Sequence, residues 1–425
     1  MDSIELNAWL RLTLTPGVGN EGARQLLATF GSAPAIFEQR ADALRQLGSD
    51  KWVRALQTVP ANLAELLETT LAWLAAGDFG DIGERRGSNA RTIATLGDAH
   101  YPSSLLNIAD PPLMLYMLGA GVLHTCSAPK NAFNLFDNCL AMVGSRNPTP
   151  QGEVNARQFA KAFAARGLCV VSGLALGVDG AAHDGALLGN TQVNGCATIA
   201  VVGTGLDRVY PKKHLALAHR IAQNGIIMSE FPLGTPPLTG NFPKRNRIIS
   251  GLSQGVLVVE AALKSGSLIT ARLASEQGKE VLAIPGSIHS PQSRGCHALI
   301  KQGAKLVETA QDVLEELRLF VPPANVAVVD ADADADAYAD ADAIDAARME
   351  VSYADSDTNA DASANEAFGD AAFLAALGYD VVSLDALQAR TGMATPELQA
   401  QLLQLELSGH LTRLPGGLFQ RMARG

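Results

Sequence analysis

Short apolar runs alternate with amphipathic stretches between residues 100 and 320. The runs are three to five residues long and apolar almost throughout, which predicts strands covered on both faces: Leu140–Val143, Cys169–Ser172, Thr198–Val202, Ile226–Ser229, Val256–Glu260, Val281–Ile284 and Lys305–Val307. The stretches between them have helical spacing: Glu153–Arg166, Ala181–Leu188, Lys212–Gln223, Leu268–Gln277 and Arg294–Lys301. This alternation predicts an α/β fold with a doubly wound, mostly parallel sheet built from βαβ units.

Residues 1–85 form a separate helical pattern, with apolar residues at Leu6, Leu10 and Leu14. A formal G-x-G-x-x-G occurs at Gly17–Gly22, but it follows Pro16 and a helical stretch instead of a strand, so the dinucleotide-binding context fails. A helix-hairpin-helix turn fits this position better. Both a phosphate contact and a purely structural role remain open for that turn.

Residues 367–425 predict three helices and a two-stranded wing, the order of a winged helix. Val382-Ser383-Leu384 should start the second helix, Thr395-Pro396-Glu397 should cap the third, and Pro415-Gly416-Gly417 should turn the wing. The third helix, Pro396–Leu407, would read DNA in such a unit, yet it has two Glu and no Lys or Arg. A groove reader normally carries basic or amide side chains there, which favours a role in protein contact or self-association, although three glutamines keep base reading open.

The formal net charge of −10 is unevenly distributed along the 425 residues. Residues 324–366 hold twelve acidic side chains and one basic one, so the rest of the chain carries +1. Residues 321–366 begin with Pro322-Pro323 and continue in Ala and Asp without periodicity, which predicts a disordered acidic linker. The acidic total therefore does not exclude a partner that is a polyanion.

Several classes of protein are disfavoured by composition. No apolar run approaches the ~20 residues that span a bilayer, and the N-terminus lacks the pattern of a secretory signal, so we expect a cytoplasmic protein without a membrane partner. The five cysteines include no C-x-x-C pair. We expect buried, reduced thiols instead of disulfides or a zinc site.

Glycines, hydroxyl residues and basic residues follow the predicted strands, where ligands bind in open α/β sheets. Ser265, Gly266 and Ser267 precede a helix, whose N-terminus favours an anion. Basic side chains follow other strands: Arg146, Lys244, Arg245 and Arg247. Together they predict a phosphate-binding edge, and the alternative is a set of tight turns beside a solvated basic loop.

Candidates for catalysis are fewer. Asp179 and His183 lie four positions apart at a predicted helix start, where a structural pairing is the favoured interpretation, and Glu230 and Glu260 lie at strand ends. No G-x-S-x-G, H-E-x-x-H or Walker A pattern is present.

The order of motifs along residues 100–317 resembles the DNA-processing protein A (DprA, or Smf) family. The similar segments are YPSSLLNIADPPLMLYMLG (Tyr101–Gly119), AMVGSRNPTPQG (Ala141–Gly152), VVSGLALGVDGAAHDGAL (Val170–Leu187), TIAVVGTGLDRVYPKKH (Thr198–His214), SEFPLGTPP (Ser229–Pro237), FPKRNRIISGLS (Phe242–Ser253), VLVVEAALKSGSLITARLASEQGKEVLAIPG (Val256–Gly286) and GCHALIKQGA (Gly295–Ala304). The flanks resemble a SAM-like or helix-hairpin-helix unit before this region and a winged-helix-like unit after it.

The resemblance implies an extended Rossmann-like core at 100–320 that binds single-stranded DNA without sequence preference. It implies a homodimer that protects incoming DNA, counters single-strand-binding protein and loads the RecA recombinase in natural transformation and recombination. It implies no catalysis and no cofactor.

Carried onto this chain, the family's phosphate pocket corresponds to residues after four strands: Gly144, Ser145, Arg146, Ser172, Gly173, Arg245, Asn246, Arg247, Ser265, Gly266, Ser267 and Thr270. Lys244 and Lys264 are nearby electrostatic candidates. Aromatic residues are only 5% of the chain, so phosphate contacts should dominate; Phe242 is a candidate for base stacking, with core packing as its alternative.

Two further functions stay open from the sequence. The core also resembles nucleotide enzymes of the phosphoribohydrolase kind, but the segment Lys264–Thr270 lacks their double glycine. A scaffold that binds only protein is the other possibility, and the basic strand-end residues argue against it.

Overall fold

A nine-stranded sheet forms the centre of the computed structural model, which describes residues 1–76, 90–122, 135–190, 196–317, 370–378, 382–408, 410–414 and 416–421. Its strands are β1 Arg91–Thr95, β2 Met114–Leu118, β3 Cys139–Val143, β4 Cys169–Ser172, β5 Thr198–Val201, β6 Ile226–Ser229, β7 Gly255–Val258, β8 Glu280–Ala283 and β9 Lys305–Leu306. The spatial order is β1-β2-β6-β5-β4-β3-β7-β8-β9. Strands β3 to β9 pair in parallel, which confirms the predicted doubly wound, Rossmann-like sheet.

The seven parallel strands were all predicted, within about two residues at each end, whereas the antiparallel strands β1 and β2 were not. β2 pairs antiparallel with β6, and β1 pairs antiparallel with β2. The sequence of β2, MLYML, contains no β-branched residue, and β1 mixes Arg and Thr with apolar residues. Neither segment therefore combines a continuous apolar run with β-branched residues, the two features used to predict the parallel strands.

Helices cover both faces of the parallel sheet. They are α7 Pro150–Ala165, α8 Val178–Gly189, α9 Leu215–Asn224, α10 Asn241–Leu252, α11 Ser267–Glu276, α12 Arg294–Lys301 and α13 Ala310–Leu317. Alternate residues of β3 serve the two faces: Leu140 and Met142 pack with α7 and α8, while Ala141 and Val143 pack with α10 and α11. The continuous apolar runs of the sequence arise from this burial on both sides.

The basic segment after β6 is a helix, which corrects the prediction of a basic loop. α10 begins at Asn241, so Phe242, Pro243 and Lys244 lie in its first turn. Proline is tolerated in the first turn because its nitrogen has no intrahelical partner there. The Phe-Pro pair thus marks the start of a helix, and Arg245 and Arg247 are held on a rigid element.

The N-terminal helices are α1 Ser3–Leu14, α2 Gly19–Phe30, α3 Ala33–Phe37, α4 Ala41–Arg45, α5 Asp50–Gln57 and α6 Leu63–Ala75. The Gly17 turn joins α1 to α2, as predicted for a helix-hairpin-helix. These helices share an apolar core with the sheet, since Trp73 packs edge-on against Tyr116 of β2 with ring centroids 6.0 Å apart. Arg24 adds an ion pair to Asp110, 3.2 Å away.

The C-terminal unit has a core of its own and the order of a winged helix. It comprises α14 Asp370–Leu377, β10 Val382–Ser383, α15 Leu384–Thr391, α16 Thr395–Leu407, β11 Leu411–Leu414 and β12 Leu418–Arg421. Ser383 caps α15, accepting a hydrogen bond from the Ala386 N–H. Thr395 does not cap α16, contrary to prediction: Ala394 occupies the cap position, and the Thr395 hydroxyl donates to Gln388 instead.

Four cysteines are buried free thiols, as predicted: Cys139, Cys169, Cys196 and Cys296. Cys126, Pro415 and the predicted acidic linker lie outside the described residues. Within the ranges described, no helix is long and apolar enough to cross a membrane, and no group of three or more His, Cys, Asp or Glu side chains there is arranged to hold a metal ion.

Candidate functional site

The candidate site is a cavity of 640 Å³ at the point where the strand order of the sheet reverses. β3 lies between β4 and β7, so the chain leaves β3 toward one side through β4 to β6 and toward the other through β7 to β9. Loops from neighbouring strands diverge at such a reversal and leave a crevice at the carboxyl ends. Predicted site residues that line the cavity are Gly144, Ser145, Arg146, Arg245, Asn246, Lys264, Ser265, Gly266, Ser267 and Thr270.

Arg146 is the exposed cation of the loop that follows β3. The loop is fixed by Ser145, whose hydroxyl accepts from the Asn147 N–H at 3.1 Å and whose carbonyl accepts from the Val178 N–H at 3.1 Å. The Arg146 guanidinium lies 5.7 Å from the centroid of the Phe242 ring, a cation–π contact that leaves its N–H groups available to an anion. Arg146 is therefore positioned for a phosphate entering the cavity.

The N-terminus of α11 forms the opposite wall. Ser267 begins this helix, and its hydroxyl lies 2.7 Å from that of Ser265. Gly266 is exposed, with open space where a side chain would be, and Lys264 is exposed beside it. The helix dipole, hydroxyl groups and Lys264 therefore face the same space as Arg146, and all of them favour negative charge.

Arg245 is buried and serves the framework of the cavity. Its guanidinium donates to the carbonyl groups of Gly173 and Val201, at the ends of β4 and β5, and lies 3.9 Å from the Asp179 carboxylate. Burial lowers the pKa of Arg245 to about 10, against the raising effect of Asp179. At neutral pH the side chain still carries its charge, so it supplies positive potential to the cavity that it lines while it joins two strands to α10.

Two predicted glycines provide room for protein side chains instead of a ligand. A Cβ atom at Gly173 would fall on the Arg245 guanidinium, and one at Gly144 would lie 2.7 Å from a Val178 methyl group. Close packing of the framework, and not close approach of a ligand, requires glycine at these two positions.

Four of the predicted residues do not line the cavity: Ser172, Gly173, Lys244 and Arg247. The Ser172 hydroxyl is buried and donates to the Met142 carbonyl at 2.6 Å. Lys244 is exposed on the first turn of α10. Arg247 forms an ion pair with Glu230 and a second with Asp110, 3.1 Å away. Because Asp110 also pairs with Arg24 of α2, Arg247 connects α10 to the N-terminal helices.

The predicted pairing of Asp179 with His183 is replaced by separate contacts. The Asp179 carboxylate accepts from the Ala175 N–H and faces Arg245. His183 is fully buried: one ring nitrogen accepts from the Leu174 N–H at 3.3 Å, and the other lies 2.7 Å from the Thr198 hydroxyl. Burial lowers the pKa of His183 to about 3, so the ring is neutral and structural.

Both glutamates at strand ends have partners in the framework. The Glu260 carboxylate accepts from the Thr149 N–H at 2.9 Å and from its hydroxyl at 2.6 Å, at the start of α7. Glu230 pairs with Arg247, and burial raises the pKa of its carboxyl. Glu260 therefore anchors the cap of α7 and does not face the cavity as a lone acid.

Several residues that line the cavity were missed from the sequence. Asn147, Thr239 and Gln292 come from three different loops, and no spacing in the sequence links them. Tyr210 also lines the cavity, and its signal was available: an aromatic residue followed by Pro211 and two lysines. Phe242, the candidate for base stacking, also lines the cavity and contacts Tyr210, Arg146 and Arg245.

Comparison with known proteins gives consistent matches. The family model of the DNA recombination-mediator protein A matches residues 92–318, and that of the DprA winged helix domain matches residues 359–417. Protein Smf of Escherichia coli (strain K12) is 43% identical over 321 residues, covering 75% of this chain and 74% of that protein. The DNA processing protein DprA of Streptococcus pneumoniae is 45% identical over 219 residues, covering 52% of this chain and 72% of that protein.

Among solved structures, the X-ray structure of DNA processing protein A from Streptococcus pneumoniae is similar, with a TM-score of 0.58 at 33% identity. The likeness covers 74% of this chain and 98% of that one. The family model matches more than half of the residues, and Protein Smf is 43% identical over about three quarters of both chains, so the chain belongs to the DNA recombination-mediator protein A (DprA/Smf) family.

Proposed function

We propose that this protein binds single-stranded DNA without sequence preference and acts on it by binding alone. One observation carries the proposal: Arg146, Lys264 and the N-terminus of α11 converge on a cavity at the reversal of the sheet. These groups recognise the phosphate that every nucleotide carries, and none of them distinguishes one base from another.

The proposal includes a role downstream of binding. We infer that the protein protects incoming DNA, displaces single-strand-binding protein and loads RecA during natural transformation and recombination, as a homodimer. Membership of the recombination-mediator family supports this role. The contacts of Glu260 support binding without catalysis, because this strand-end carboxylate already accepts two hydrogen bonds from Thr149.

The binding proposal is tested by fluorescence anisotropy with labelled oligo-dT at two salt concentrations. We expect affinity to fall steeply as salt rises, since phosphate contacts release counterions. Mixed-sequence single strands should bind as oligo-dT does, and duplex DNA should compete poorly. Salt-independent binding, or a strong preference for one sequence, would contradict the phosphate mechanism.

The loading proposal needs a second assay. RecA ATPase activity on DNA coated with single-strand-binding protein should rise when the full-length protein is added, and light scattering should report a dimer. An Arg146→Ala variant serves as the control that should lose both DNA binding and stimulation. Stimulation by that variant equal to wild type would separate RecA loading from the cavity.

A further inference from the structure

Tyr210 is unusual among the aromatic side chains of the described residues because it is exposed. Its relative accessibility is 47%, and every other large apolar side chain with comparable exposure in those ranges is aliphatic. The same ring lines the cavity that contains Arg146 and Ser267. An exposed aromatic face beside a phosphate-binding cavity has the composition of a single-strand binding groove.

Phe242 supports Tyr210, and it is half-buried where Tyr210 is exposed. The two ring centroids are 5.7 Å apart with a tilt of 39°. The guanidinium groups of Arg146 and Arg245 lie 5.7 and 6.0 Å from the Phe242 centroid, and a Cβ atom on Gly203 would lie 3.2 Å from its ring edge. Both rings line the cavity, and Tyr210 is the more exposed ring of the pair.

The segment that carries Tyr210 is fastened to the wall of the cavity. His214, at the end of the short helix Lys212–His214, places a ring nitrogen 3.0 Å from the Leu174 carbonyl, just beyond β4. Lys212 and Lys213 are exposed within this helix. A ring with fixed position and cationic neighbours can receive a base while the adjoining backbone stays in positive potential.

We propose that Tyr210 is a nucleobase-stacking subsite, which holds a base of the single strand whose phosphate occupies the neighbouring cavity. This inference rests on the proposed function and deepens it. Stacking on a tyrosine face is tolerant of sequence because every base has a π-face, so the subsite adds affinity without specificity. Arg146 binds the backbone and Tyr210 binds the base, with Phe242 as the structural link between them.

The test compares Tyr210→Ala, Tyr210→Leu and Tyr210→Phe by anisotropy on oligo-dT, using the full-length protein. The Ala and Leu variants should lose roughly 5- to 100-fold in affinity, whereas Phe should retain the wild-type value because it keeps the ring. Leu preserves apolar packing on Phe242, so it separates stacking from folding, and thermal unfolding verifies that each variant is native.

Two readouts distinguish base stacking from a general structural role. The slope of log K against log salt should not change in the Tyr210 variants, while Arg146→Ala should flatten it. On an oligonucleotide of abasic sites, wild type and Tyr210→Leu should bind equally. An equal loss on abasic and normal strands, or wild-type affinity of Tyr210→Leu on oligo-dT, would overturn the subsite. Failure of wild-type protein to bind oligo-dT at all would instead overturn the proposed function itself.

Discussion

Arg146 and Arg245 line the same cavity, yet their surroundings give them different tasks. Arg146 is exposed and contacts the face of Phe242, whereas Arg245 is buried against two carbonyl groups and Asp179. The amino-acid sequence shows an arginine in each of two strand-end motifs, and it does not indicate that one is exposed and the other buried. In the folded protein the charge of Arg146 is exposed at the cavity, and the charge of Arg245 is held within the framework.

Replacing Arg146 with Ala should weaken binding of oligo-dT and flatten the salt dependence by about 0.7 in slope, the value expected when the protein neutralises one phosphate fewer on a single strand. Stability should stay within about 0.5 kcal/mol of wild type, because an exposed side chain is removed. Anisotropy titrations at several salt concentrations and urea unfolding measure the two effects. An unchanged slope would mean that Arg146 contacts no phosphate.

Replacing Arg245 with Met should lower the free energy of unfolding by about 3–5 kcal/mol, since the Asp179 carboxylate and two carbonyl groups would be left buried without their partner. Urea denaturation measures the change, with Arg146→Met as the matched control of equal volume at an exposed position. Loss of DNA affinity with full stability in Arg245→Met would contradict the framework role and move this residue into the ligand site.

Burial of neutral His183 should make the protein sensitive to acid. Its pKa of about 3 in the folded state lies below the ordinary value of 6.5, so the unfolded chain binds more protons between these values. The contribution of His183 to the free energy of unfolding is therefore complete above pH 6.5, and it falls by about 1.4 kcal/mol for each pH unit well below 6.5. His183→Gln keeps hydrogen-bonding groups without titrating there, and its unfolding free energy should fall less between pH 6.5 and 5. If the unfolding free energies of wild type and His183→Gln fell equally between pH 6.5 and 5, His183 would not be the source of the acid sensitivity.

At the scale of elements, the sequence predicts the parallel strands, and it predicts the site residues that follow them only in part. Burial on both faces gives each parallel strand a continuous apolar run, which the sequence displays directly. Arg and Thr interrupt that signal in β1, β2 is apolar but has no β-branched residue, and α10 was concealed by Pro243 in its first turn. Residues that follow the strands could be predicted to lie near the site, because the topology of the sheet fixes where each strand ends. The orientation of their side chains could not be predicted, because it depends on tertiary packing.

α10 is held at its far end by a single lysine. Lys279 donates to the carbonyl groups of Ser250, Gly251 and Ser253, at distances of 2.8, 2.6 and 2.6 Å. These carbonyls belong to the last turn and exit of the helix, where intrahelical partners run out; of the three, the Ser250 carbonyl also accepts from a backbone group, the Ser253 N–H at 3.1 Å. Lys279, which is remote in sequence from the basic residues of α10, thus fixes the C-terminal end of that helix.

Lys279→Met should therefore reduce the free energy of unfolding by about 1–3 kcal/mol, the cost of leaving partly buried carbonyl groups unsatisfied. Lys301→Met is the matched control, because Lys301 is an exposed lysine in the last turn of α12. Denaturant unfolding of both variants decides the matter. Equal stability of the two would show that the α10 exit is satisfied by solvent.

At the scale of the whole molecule, charge and function are separated along the chain. Residues 1–323 carry a formal charge of +2, while residues 324–366 carry −11. The cations of the candidate site lie in an almost neutral core, so the acidic total says little about the partner. The C-terminal unit, at −1, adds no cationic surface of note.

Removal of residues 367–425 should leave the affinity for oligo-dT within about twofold of wild type. α16 carries Glu397 and Glu406 and no basic residue, whereas affinity for a nucleic acid comes mainly from Lys and Arg contacts to phosphate. Anisotropy on the shortened chain at low salt measures this, and the Arg146→Ala change in the same background supplies the reference for weakened binding. Abolished binding on removal would assign DNA contact to the winged helix.

The core shared by the N-terminal helices and the sheet has a practical consequence for cleavage of the chain. Trp73 packs on Tyr116, and Arg24 pairs with Asp110, across the boundary that the sequence suggested near residue 85. A protease that cuts between α6 and β1 would thus produce two peptides that migrate together on a native gel and part only in denaturant. The connection between α6 and β1 is therefore a suitable place to divide the chain into two fragments that reassociate.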